Sequence, residues 1–237
     1  LAECDRARAA GGRLTAQVSP RTAGLIASLR SAYHPFAQSA VWKSLSALPF
    51  EERIRRLSAD AELRRKMALE GVGNLIGQDR PYQAWATTYL LSGDLDYEPA
   101  PAYSIAAIAE REGRDPRETA LDQLLKLNGE SFLMTHAINY SYGDLSPSYE
   151  MLRNPNTVAG GSDGGAHVGM IGDAGMPTFL LTHWQRDRKR GPTLPLEHLI
   201  KKQTADTAGL YGLKDRGRLQ PGLRADINLI DLGNLKI

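Results

Sequence analysis

Residues 157–167 constrain the fold more than any other part of the chain, reading Thr-Val-Ala-Gly-Gly-Ser-Asp-Gly-Gly-Ala-His. A short apolar run predicts a strand over 157–160, and paired glycines stand on both sides of a single carboxylate, Asp163. Glycine permits a sharp turn and leaves the carboxylate accessible to a ligand. At the carboxyl end of a barrel strand, such a residue is typical of a catalytic site. The structural alternative is an Asp that satisfies nearby amides in a glycine-rich turn.

Composition narrows the class of protein. With 237 residues, 42% of them hydrophobic, the chain can bury a core in one large or two modest domains. A net charge of +2 gives no reason to expect a nucleic acid or membrane partner. The single cysteine, Cys4, excludes an internal disulfide and any multi-cysteine metal site. Together with the absence of a signal peptide or long apolar span, this predicts a cytoplasmic protein, although the chain begins at Leu1 rather than at Met.

The order of predicted elements is that of an α/β protein. A helix over 2–10 ends at two glycines, and a strand follows over 14–18. Residues 22–130 are predicted to be mainly helices and loops, including an amphipathic helical pattern over 50–71. Further helices are predicted over 104–111, from Asp115 to about residue 127, and from residues 146, 177, 195 and 204. Strands are predicted over 132–138, 217–219 and 225–230.

Several motifs occur in a characteristic order along the second half of the chain. They are Ser162-Asp163-Gly164, Pro177-Thr178, Pro195-Leu196-Glu197, Gly212-Leu213-x-Asp215-Arg216-Gly217 and Pro221-Gly222-x-x-Ala225-Asp226. This succession resembles the C-terminal part of the metal-dependent amidohydrolases, especially the N-acyl-D-amino-acid deacylase branch. The resemblance is good over 132–237 and fair over 14–63.

The resemblance implies a fold class and a domain division. We expect an α/β chain that forms the C-terminal part of a TIM-type (β/α)8 barrel over 1–212, with a helical insertion at about 22–130. Residues 213–237 would then begin a small β-sandwich tail. The strands at 14–18 and 157–160 would be the seventh and eighth of the barrel. The earlier strands would belong to a missing N-terminal part of the same chain.

The resemblance also implies a chemistry. In the family, the residue at the position of Asp163 lies beside one or two zinc ions, so Asp163 is the candidate zinc ligand and the candidate general base and acid. Zinc lowers the pKa of a bound water toward about 7, and a nearby carboxylate can accept its proton and pass it to the leaving amine. The expected substrate is a small-molecule N-acyl amide of an amino acid.

The histidines do not complete such a metal site. The five are His34, His136, His167, His183 and His198, and no two of them have the spacing of zinc ligands. Most ligands are therefore expected upstream of Leu1, and we expect this chain alone to hydrolyse nothing.

Two residues are candidates for binding substrate. Arg21 follows a predicted strand end, in a segment where relatives commonly carry tyrosines at the positions of Ser19 and Arg21, and its guanidinium could bind a substrate carboxylate. The alternative is an ordinary surface arginine before a loop. His167, four residues after Asp163, could touch substrate or orient Asp163, or could simply bond to loop backbone.

Two other functions remain open. A cyclic-amide hydrolase of the dihydroorotase or hydantoinase kind shares the tail motif, and Arg21 is the feature that favours a free carboxylate instead. A non-catalytic protein that uses the fold for binding or assembly would also lack the histidine ligands. The sequence does not determine the oligomeric state.

Overall fold

The computed structural model describes residues 1–70, 84–91, 95–162, 164–165 and 169–237. These residues divide into two units, which are described separately. The first contains Leu1–Ala23, Asp144–Gly165 and Asp173–Ile237. The second contains Gly24–Gly143 and Ala166–Gly172, and so includes most of the predicted insertion. The predicted boundary between 212 and 213 stays a prediction.

The first unit is built around two parallel strands. They are β1 (Ala16–Val18) and β5 (Thr157–Ala159), paired with Val18 opposite Ala159. Parallel strands need a long crossover connection, and here that connection contains the Gly24–Gly143 segment of the second unit. The seventh and eighth strands of a barrel would also be parallel neighbours. The barrel itself stays a prediction.

Short helices accompany these strands. They are α1 (Ala2–Ala9), α7 (Ser146–Arg153), α8 (Met176–Thr182), α9 (Leu196–Gln203) and α10 (Ala205–Leu210), with a π-helical turn at His183–Asp187 after α8. Their apolar faces and the two strands form a core of Val18, Leu152, Val158, Phe179, Leu180, Trp184 and Leu199. The helices predicted from residues 146, 177, 195 and 204 are confirmed.

The second unit combines a three-stranded sheet with helices. Strands β2 (Ala23–Ala27), β3 (Thr88–Leu90) and β4 (Leu133–Ile138) lie in the order β2-β4-β3, and β3 and β4 are antiparallel. The helices are α2 (Ala40–Ser44), α3 (Phe50–Ala59), α4 (Ala61–Glu70), α5 (Ile105–Glu112) and α6 (Pro116–Gly129). Their core includes Leu29, Phe36, Leu57, Met67, Ile105, Leu121, Leu124 and Leu133.

Side-chain caps lie at the starts of two helices, α5 and α6, close to where these helices are predicted to begin. Ser104 caps α5 by accepting from the Ala107 amide at 3.2 Å, and Asp115 caps α6 by accepting from the Arg117 amide at 2.8 Å. The helical backbone of α6 ends before Lys126, as the sequence predicts to within about two residues. These ends are predictable because cap and helix are neighbours in sequence.

Three predictions need correction. The helical pattern over 50–71 is two helices, because Asp60 is extended and its carboxylate accepts from the Leu63 amide to start α4. The stretch 22–130 also contains β2 and β3, which the sequence did not predict. The strands predicted at 217–219 and 225–230 are not formed in the structure, which describes all of 213–237. A strand needs a partner for its backbone groups, whereas Leu219 and Leu229 are 83% and 98% exposed.

Among the described helices, none combines the length and apolar character that crossing a membrane requires.

Candidate functional site

The carboxyl ends of β1 and β5 lie side by side. The Gly160 amide donates to the Val18 carbonyl at 2.9 Å, which extends the pairing past the end of both strands. The carboxyl ends of parallel strands are where α/β proteins place their ligands. This end of the pair is therefore the candidate functional site.

Glycine is required where the chain leaves β5. A Cβ at Gly160 would lie 2.2 Å from Nε2 of Gln17, on the neighbouring strand. Gly161 has φ +85°, a left-handed conformation that other residues rarely adopt. The predicted sharp turn between the strand and the Ser162-Asp163 segment is thus confirmed up to residue 162.

Two hydrogen bonds fix the backbone where the chain leaves β1. The Ser19 hydroxyl donates to the Arg21 carbonyl at 2.7 Å, and the buried Trp184 indole donates to the Pro20 carbonyl at 2.6 Å. Trp184 lies in the turn after α8, so a distant part of the first unit holds this segment in place.

Arg21 is buried at this strand end. Only 1% of the residue is exposed, so it is not the surface arginine of the alternative interpretation. Its Nη2 lies 3.5 Å from Oδ1 of Asp173, and its guanidinium carbon is 5.7 Å from the centre of the Phe179 ring. Burying a guanidinium is costly unless a counter-charge compensates it, and Asp173 supplies a counter-charge.

Asp173 and Phe179 were not predicted as site residues. They lie in a 3-10 turn and in α8, about 150 residues along the chain from Arg21. No local pattern marks them, because their role depends only on which strand end they pack against.

The two other predicted site residues, Asp163 and His167, lie outside the described residues. The described site therefore includes Arg21, Asp173 and Phe179, but not Asp163 or His167. Their predicted roles stay predictions, as does the carboxylate-binding role of Arg21.

Histidines of the second unit are packed against aromatic rings. His34 is 2% exposed, its Nδ1 accepts from the Phe36 amide at 3.3 Å, and burial lowers its pKa to about 4. His136, on β4, lies 4.2 Å from Tyr140 between ring centres. Such surroundings are those of core side chains.

Two histidines of the first unit also contact other groups of the protein. The ring of His183 stacks on Phe179 with 4.5 Å between centres, and Nε2 of His198 lies 2.9 Å from the Leu152 carbonyl. Within the ranges that the structure describes, no group of three or more His, Cys, Asp or Glu could hold a metal ion. The described residues by themselves do not fit the zinc site that the resemblance implies.

Lys202 is a buried cation with a structural role. Its ammonium donates to the Asn154 carbonyl at 2.6 Å and to the Thr157 hydroxyl at 2.9 Å, and it also donates to the Thr157 carbonyl. Burial lowers the pKa of this lysine, although the nearby Asp206 carboxylate acts in the opposite direction. The three acceptors match the three ammonium hydrogens, so Lys202 ties the amino end of β5 to the end of α7.

Comparison with known proteins shows the family. The chain belongs to the Amidohydrolase family, whose model matches residues 59–237, more than half of the sequence. This confirms the amidohydrolase resemblance and supports hydrolase activity in general, without distinguishing the deacylase branch. Searches of curated proteins and of solved structures each found no match.

Proposed function

We propose that this chain forms part of a zinc-dependent amidohydrolase that removes the acyl group from an N-acyl amino acid, as N-acyl-D-amino-acid deacylases do. The observation that carries the proposal is a buried arginine, Arg21, at the same strand ends from which the chain continues to Asp163. The family match supports the hydrolase class. The zinc ligands would have to include residues beyond those described.

Arg21 is proposed to bind the carboxylate of the substrate. A buried guanidinium lies in a medium of low effective dielectric, where pairing with a carboxylate is stronger than in water. The 3.5 Å separation from Asp173 exceeds the about 2.7–2.9 Å of a well-formed charge-assisted bond. A substrate carboxylate at normal bonding distance would form the stronger pair. Asp173 would then hold the guanidinium in place before substrate arrives.

Asp163 is proposed as the general base and acid. It would accept the proton of the attacking water and return it to the amine nitrogen as the C–N bond breaks. His167 is proposed to contact the substrate or to orient Asp163. One carboxylate in both roles suits amide hydrolysis, because the amine is a poor leaving group until it is protonated.

The test is hydrolysis by the full natural protein, with metal supplied, of three substrates. They are an N-acetyl amino acid in both D and L forms, the corresponding amide without a carboxylate, and hydantoin. We expect turnover of the N-acetyl amino acid, and a fall of about 10²–10⁴-fold in kcat for Asp163→Asn. Arg21→Lys should lower kcat/KM for the carboxylated substrate by about 10–100-fold, mainly through KM, and leave the neutral amide nearly unchanged.

The pattern of results separates the alternatives. Turnover of hydantoin with little effect of Arg21→Lys would identify a cyclic-amide hydrolase. An equal loss on both amides would contradict the carboxylate role of Arg21. No turnover of any substrate by folded, metal-loaded protein would favour a binding or assembly protein.

A further inference from the structure

A surface cavity of about 730 Å³ lies at the opposite end of the β1–β5 pair, within the first unit. Thr15, just before β1, and Thr157, the first residue of β5, both line it. Its size is that of a site for a small organic molecule. It is separate from the candidate site, which lies at the carboxyl ends of the same strands.

The turn after α1 brings two arginines to this cavity. Helix α1 ends at Ala9, and Gly11, with φ +81°, reverses the chain just after it. The Gly11 amide donates to the Arg8 carbonyl and the Gly12 amide to the Ala7 carbonyl. This reversal of the chain places Arg8, before the turn, and Arg13, after it, in the lining of one cavity.

Neither guanidinium is compensated by the described part of the chain. Arg8 and Arg13 are exposed, and within the described ranges neither side chain forms an ion pair or a hydrogen bond. Most exposed arginines in the part of the chain that the structure describes do pair with a carboxylate, as Arg55 does with Glu52 at 2.7 Å. The two cavity arginines differ from that pattern.

The nearby carboxylates already have partners. Asp206, which lines the cavity, accepts from the ammonium of Lys201. Asp5, on α1, accepts from the side-chain amide of Asn156 at 2.5 Å, and Glu3 pairs with Arg6. In the lining, Arg8 and Arg13 outnumber Asp206, so the cavity is positively charged and its field attracts an anion.

We propose that this cavity binds a small organic anion, whose phosphate or carboxylate group pairs with Arg8 and Arg13. The guanidinium fork matches either group through two parallel hydrogen bonds. Val158 and Leu210 supply apolar lining, so the ligand carries an apolar portion beside its anionic group.

The experiment is calorimetric titration of the full chain with phenyl phosphate, benzoate and inorganic phosphate at low ionic strength. We expect saturable binding of phenyl phosphate or benzoate, and weaker binding of inorganic phosphate, which has no apolar portion. Binding of only one of the two aromatic anions would identify the group as phosphate or carboxylate. Arg8→Gln and Arg13→Gln should each weaken binding about tenfold.

Arg218→Gln is the matched control. Arg218 is an exposed arginine of the same unit that does not line the cavity, so its replacement changes net charge equally and should leave affinity unchanged. Leu210→Ala should weaken the binding of phenyl phosphate but not the binding of inorganic phosphate. The proposal is overturned if no probe saturates, if Arg218→Gln weakens binding as much as the cavity variants, or if Arg8→Gln and Arg13→Gln bind normally. Thermal unfolding of each variant confirms that it is folded.

Discussion

The two ends of the β1–β5 pair differ in how their arginines are compensated. At the carboxyl end, Arg21 is almost completely buried and has Asp173 as counter-charge. At the amino end, Arg8 and Arg13 are exposed and have no counter-charge among the described residues. The two ends belong to one unit and share the same two strands.

The difference shows what burial requires of a charge. A guanidinium removed from water must be paired within the protein, since its lost hydration costs several kcal/mol. An exposed guanidinium keeps its water and needs no partner, so its charge is available to a ligand. Burial thus requires a counter-charge within the protein, as Asp173 provides for Arg21 before any substrate arrives, whereas exposure requires none.

The largest expected effect concerns Arg21. Replacing it by Met removes the cation beside Asp173 and should lower the free energy of unfolding by about 3 kcal/mol. Arg13→Gln, at the exposed end, should change it by less than about 0.5 kcal/mol. Urea unfolding measures both. The comparison fails if the two variants cost the same, and the double variant Arg21→Met/Asp173→Asn should recover part of the loss.

Lys202, a buried cation at the amino end of the β1–β5 pair, tests whether burial or location at one end of the pair determines the cost of losing a charge. Lys202→Met leaves the carbonyls of Asn154 and Thr157 without their ammonium donor and should cost about 2 kcal/mol in unfolding free energy. Its neighbour Lys201 is exposed, and Lys201→Met should cost less than about 1 kcal/mol, since it breaks only a surface ion pair with Asp206. Equal losses in unfolding free energy for the two variants would show that burial does not determine the cost.

The smallest expected effects concern glycines. Gly160→Ala places a methyl group within 2.4 Å of Cγ of Gln17 and should destabilise by about 1–2 kcal/mol. Gly209 lies in α10 and lines the cavity at the amino end of the β1–β5 pair. A Cβ at this position meets no atom within 4 Å, so Gly209→Ala should raise the free energy of unfolding by about 0.5–1 kcal/mol through helix propensity. Thermal unfolding distinguishes the two signs. Stabilisation by Gly160→Ala would show that the strand ends are not tightly packed.

Sequence reasoning succeeded where cause and effect are neighbours along the chain. Asp115 caps α6 with its own side chain, and Gly161 adopts the left-handed turn that its position after β5 predicts. It failed where the partner is distant. β2 belongs to a sheet with β4, more than 100 residues later, and its run Ala-Gly-Leu-Ile-Ala has no alternation that marks a strand.

The predicted tail strands illustrate the same limit. Residues 217–219 and 225–230 have strand-like composition, yet in the structure they are not paired with a neighbouring strand. Composition describes what a segment favours, whereas a strand also needs a neighbour to receive its hydrogen bonds.

By itself, the sequence determined the family, the α/β class, most helix ends and the position of Arg21 after a strand. Each of these follows from local residues or from motifs in a fixed order. Only the tertiary structure decided that Arg21 is buried against Asp173 and that Arg8 and Arg13 line one cavity. Burial and charge compensation are properties of groups brought together by folding, so no local pattern contains them.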